Sequence, residues 1–67
     1  MLIKVQHRQP HWQVVHPTRP DPIAFGNGAT AFDFAASLAR EHHASTGDSS
    51  AVRVEVLDAG VEALRYG

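Results

Sequence analysis

One stretch of helical periodicity, Thr30 to His43, stands between runs that alternate every second residue. No other feature restricts the fold as much, because a single helix covers one face of a sheet and leaves the other to water. At about 100° per residue, Phe34, Leu38, Ala31, Ala35, Ala39, Phe32 and Ala36 share an arc of roughly 200°. Asp33, Ser37, Arg40 and Glu41 occupy the remainder. The apolar arc is rich in alanine, which allows close approach to a sheet. Thr30-x-x-Asp33 has the form of a capping box at the helix start. Gly47 is the expected C-terminal stop, and residues 45–50 read as polar loop.

The flanking runs predict the sheet. In Leu2 to Arg8, Ile3, Val5 and His7 share one face, and Lys4, Gln6 and Arg8 the other. Gln9-Pro10 reads as a tight turn into a second run with Trp12, Val14 and His16 on one side. Pro17-Thr18-Arg19-Pro20-Asp21-Pro22 is neither helix nor central strand and reads as a stiff loop. Ile23-Ala24-Phe25 is a brief optional strand before the Gly26-Asn27-Gly28 turn. Val52, Val54 and Val56 alternate with Arg53, Glu55 and Leu57 in the strongest strand signal of the chain. Asp58-Ala59-Gly60 suits a type I turn closed by glycine, and Val61 to Tyr66 returns as the last strand. The register of that strand is open, since Val61 and Ala63 fall on the face opposite Leu64 and Tyr66.

The reading is a single-domain α+β fold, β-β-(β)-α-β-β, with an antiparallel sheet and one amphipathic helix packed on one face. The favoured order is 2-1-3-4, counting the four main strands; 1-2-3-4 is the alternative. Trp12, Ile3, Val5 and the valines of residues 52–56 would meet the helix. Lys4, Gln6, Gln13, Val15, Arg53, Glu55 and Leu57 would form the open face.

Composition sets the scale. Of 67 residues, 43% are hydrophobic, and ten of these are alanine. The larger apolar side chains suffice for one thin core and exclude a two-domain enzyme. With no cysteine, disulfides, thiolate zinc sites and a cysteine nucleophile are excluded, and a reducing, cytoplasmic setting is expected. The apolar run Met1-Leu2-Ile3 is too short for a signal-peptide core or a membrane span. The chain ends one residue past Tyr66, so no tail with a separate role is expected. Net charge is −1 but unevenly spread: residues 1–20 carry +3 and residues 21–67 carry −4. The N-terminal segment is therefore a candidate anion-facing surface.

Trp12-x-Val14, Phe25, Phe34-Ala35-x-x-Leu38-Ala39 and Val52-x-Val54-x-Val56 together resemble a family of small uncharacterised bacterial domains with W-x-V, A…LA and V-x-V packing motifs. The similarity spans roughly residues 12–57. It implies a compact α+β fold and brings no catalytic residues.

Candidate chemistry is sparse. Five histidines are many for this length, yet His42 and His43 point about 100° apart on a helix, and no H-x-x-x-H occurs within it. No metal and no cofactor is expected. Gly26-x-Gly28 lacks the longer glycine fingerprint and the P-loop lysine. There is no G-x-S-x-G, and Asp33 lies too far along the helix from His42 and His43 to form an acid–base pair. The chain is thus read as non-catalytic, a protein-interaction module that also suits pairing with itself as a homodimer. Its expected surface is Gln13, Val15, Arg53, Glu55 and Leu57. The alternative is weak nucleic-acid binding by the basic N-terminal hairpin through Lys4, Arg8 and Arg19.

Overall fold

A computed structural model describes residues 1–57 and 59–67. In these residues the chain forms β1 (Leu2–Arg8), β2 (His11–Val15), β3 (Ile23–Phe25), α1 (Gly28–Thr46), β4 (Ser50–Val56) and β5 (Ala59–Tyr66). The strands make one sheet in the order β3-β2-β1-β4-β5, and α1 packs on one face of it. The architecture is α+β, and the favoured order of the four main strands is the one observed, with the brief strand added at the β2 edge.

One expectation needs correction: the sheet is mixed, not antiparallel. β1 and β4 run parallel, with Ile3 opposite Val52 and Val5 opposite Val54, while every other neighbouring pair is antiparallel. The reason is parity. The chain reverses at β1–β2, at β2–β3, into α1 and again into β4, which restores the direction of β1. Counting only the four main strands omits one reversal and turns β4 the wrong way. The three-residue β3 pairs through Trp12↔Phe25 and Val14↔Ile23 and supplies that reversal.

The helix is longer than its periodic stretch, and its cap differs from the expected one. Asn27 is the N-cap: its extended backbone (φ −146°) breaks the helix, and its Oδ1 accepts from the Thr30 amide at 2.8 Å. Thr30 is therefore inside the first turn. Gly47 closes the other end in the left-handed conformation (φ 78°), its amide donating to the His43 carbonyl at 2.8 Å. The seam against the sheet is Ala31, Ala35 and Ala39, all fully buried. Phe32, Phe34 and Leu38 are only partly buried and pack around the cluster. Small residues at the centre bring the helix backbone close to Ile3, Val5, Val14 and Val52, which are also fully buried.

β5 begins at Ala59, earlier than Val61, and Gly60 pairs with Glu55 inside the ladder instead of closing a turn. The positive backbone angle belongs to Leu57 (φ 56°). The reading of a turn at Asp58 lies outside the described residues. A register shift opposite Val52/Arg53 leaves Ala63 unpaired, as in a β-bulge. It explains the conflicting alternation: Val61 pairs with Val54 and Leu64 with Val52, so both face the helix, joined there by Tyr66 opposite Ser50.

Candidate interaction surface

The face of the sheet away from α1 is built in rungs. One rung runs Ala24, Gln13, Gln6, Glu55, Gly60 across all five strands. The next runs Val15, Lys4, Arg53, Glu62. Directly paired residues project to the same side, so these side chains are neighbours.

The first rung is a continuous hydrogen-bonded ladder. Gln13 Nε2 donates to Gln6 Oε1 at 2.7 Å, and Gln6 Nε2 donates to Glu55 Oε1 at 2.7 Å. Arg53 Nε donates to Glu55 Oε2 at 3.2 Å. Arg8 adds a longer bond to Gln6 Oε1 at 3.3 Å. The carboxylate can only accept, which orients the Gln6 amide: its nitrogen faces Glu55 and its oxygen faces Gln13 and Arg8. The bond from Gln6 is the largest influence holding the Glu55 carboxyl below the usual glutamate range. Partial desolvation opposes it, and Arg53 and Lys4 reinforce it.

Gly60 has a part in this arrangement that the sequence reading missed. Arg53 lies across it, and a Cβ at Gly60 would stand 2.7 Å from Arg53 Nε. Only its pairing with Glu55 reveals the role, because the residue reads from sequence as a turn glycine. Beside it a hollow of about 150 Å³ is lined by Gln6, Arg8, Arg53, Glu55, Leu57 and Gly60.

The five expected interaction residues thus divide. Gln13, Arg53 and Glu55 belong to one bonded network, and Val15 stands half-buried on the adjoining rung. Leu57 has left the alternation of β4, is 91% exposed and borders the hollow from the turn. Of the expected nucleic-acid contacts, Lys4 and Arg8 share the open face of β1. Arg19 sits apart in the loop after β2, its amide donating to the His16 carbonyl.

The histidines are dispersed. His7 stacks on Trp12 with ring centroids 4.4 Å apart. His16 Nδ1 accepts from the Thr18 amide at 3.1 Å. The His43 ring donates from Nδ1 to the Asp48 carbonyl at 3.0 Å, and the His42 carbonyl accepts from the Thr46 hydroxyl. Among the described residues no three His, Asp or Glu side chains converge.

The exposed apolar side chains have a different distribution from the expected one. Val56, Leu57 and Val61 gather where β4 passes into β5, and Val61 is 63% exposed. Val54, Val56, Ala59 and Val61 line a second hollow of about 160 Å³ there. Val54, Val56 and Val61 belong to the helix side, but α1 runs toward the opposite end of β4, where His43 meets Asp48.

Of the residues that carry the family resemblance, Trp12, Val14, Phe25, Phe34, Ala35, Leu38, Ala39, Val52 and Val54 lie in or against the core, whereas Val56 is exposed. Comparison with models of protein families, with curated proteins and with solved structures finds no match. Among the described residues no helix is long and apolar enough to cross a membrane.

Proposed function

We propose that this chain is a non-catalytic protein-interaction module of the cytosol, able to pair with itself as well as with another protein. The observation that carries the reading is the exposed apolar side chain of Leu57 at the border of the polar ladder, with Val56 and Val61 exposed on the helix side at the same end of the sheet. Apolar groups grouped at one end of a small sheet favour a protein partner. Gln13, Arg53 and Glu55 supply preordered donors and acceptors on the open face that Leu57 borders. Ion pairing within the face also weighs against a polyanion, since Glu55 places a carboxylate among Lys4, Arg8 and Arg53.

The test replaces Val15 and Leu57 by glutamate together. Association, followed by translational diffusion of the chain and by capture of partners from a cell extract, should be lost while the far-UV circular dichroism is kept. An amide-resolved titration with short oligonucleotides runs alongside. Shifts confined to residues 2–19 that survive near-physiological salt, and vanish when Lys4, Arg8 and Arg19 become glutamate, would replace the protein reading by nucleic-acid binding.

A further inference from the structure

We infer that a second copy of this chain docks edge to edge along β5, in an antiparallel register centred between Ala63 and Leu64. The inference rests on the self-pairing part of the proposed function and adds the surface and the register. β5 is an edge strand of eight residues, Ala59–Tyr66, without proline or lysine; its bulge and its two charges, devices that otherwise blunt edges, are disposed so that they match a second copy. The other edge, β3, has three residues and follows a proline-rich loop.

The register follows from the bulge. Without it, Glu62 and Arg65 would project to opposite faces, being three residues apart. With Ala63 unpaired, Glu62 opposes Arg53 and Arg65 opposes Ala51, so both charges stand on the open face. Within one chain they bridge at 3.1 Å and remain exposed. In a twofold pairing centred after Ala63, Glu62 of each copy opposes Arg65 of the other. The same register sets Val61 against Tyr66 on the helix side, where both already project. A slip of one residue would oppose Glu62 to Leu64 or Tyr66, which lie on the other face. The β5 edge is therefore complementary to itself in charge at Glu62 and Arg65 and in facing at the two flanking pairs, with the bulged Ala63 opposite Leu64 at the centre. The product is a ten-stranded sheet with both helices on one side.

The experiment is sedimentation equilibrium of the whole chain up to about 1 mM, with the single variants Glu62→Arg and Arg65→Glu and their equimolar mixture. The natural chain should dimerise. Each single variant sets like charges opposite one another at two places, and its dissociation constant should rise about tenfold or more. The mixture should recover dimer at concentrations where each variant alone is monomeric, because the paired arginines of one variant then face the paired glutamates of the other. This recovery separates pairing between chains from the bridge within a chain, which stays broken in both variants. Circular dichroism confirms that each variant is folded. A natural chain that is monomeric throughout, or a mixture without recovery, overturns the inference. If dimerisation instead survives the charge reversals and is abolished by the Val15 and Leu57 replacements, the β5 edge is wrong and self-pairing through the open face stands.

Discussion

A Cβ placed on Gly28 would stand 2.9 Å from Cε2 and 3.0 Å from Cζ2 of Trp12. The indole is held from its other neighbours too, by the His7 stack and by β2 pairing opposite Phe25. It therefore cannot swing aside freely, and the missing side chain at the start of α1 lets the helix sit on the ring. Gly28→Ala should destabilise the fold by about 1–3 kcal/mol, even though alanine is the better helix former. Urea unfolding of the variant measures this directly; equal or greater stability would mean that the ring does not set the helix height. The sequence shows Gly28 only as part of a Gly-Asn-Gly turn. Its contact with Trp12 exists because β2 and α1, remote in sequence at this point, meet across the core.

At the scale of the element, the helix was legible in its body and misread at its start. Ala31, Ala35 and Ala39 recur every four residues, and that periodicity survives any context. Asn27 and Thr30 are both good capping residues, and their order is decided by which of them has an extended backbone. The extended one is Asn27, whose side chain accepts from Thr30. Asn27→Ala should cost about 1 kcal/mol, measured by thermal or urea unfolding. Thr30→Ala should cost much less, because its hydroxyl has no role in the cap. A reversed ranking of the two variants would contradict the observed cap. β5 shows the same limit. Its alternation breaks between Val61 and Leu64, and sequence cannot distinguish a surface strand from a bulged one. Pairing with β4 resolves it, since Ala63 is the residue left over.

At the scale of the molecule, the Gln13–Gln6–Glu55 ladder joins β2, β1 and β4 across the parallel junction. The Glu55 carboxyl titrates lower in the folded chain than in an unfolded one, chiefly because of the Gln6 bond. A depressed carboxylate contributes stability above its ordinary titration range, and the contribution declines as pH falls through that range to the folded value. Urea midpoints measured from about pH 6 to about pH 3 should therefore fall for the natural chain, and Glu55→Gln should reduce that dependence. An identical acid limb in the variant would show that the ladder does not discriminate between the charged and neutral carboxyl.

The antiparallel reading of the sheet failed at this same scale. Whether β4 runs with or against β1 depends on one reversal, and that reversal is made by Ile23-Ala24-Phe25, a strand of only three residues, too short to stand out in the sequence. By itself the sequence determined the α+β class, the bodies of the strand and helix segments, and the open-face side chains of β1, β2 and β4 as far as Glu55, because those follow from periods of two and of 3.6 residues. Only the tertiary structure decided the parallel junction, the bulge that aligns Glu62 with Arg65, and the seat of Arg53 on Gly60. Each of these depends on the partner opposite a residue, and a partner is set by packing among distant segments, which no local pattern encodes.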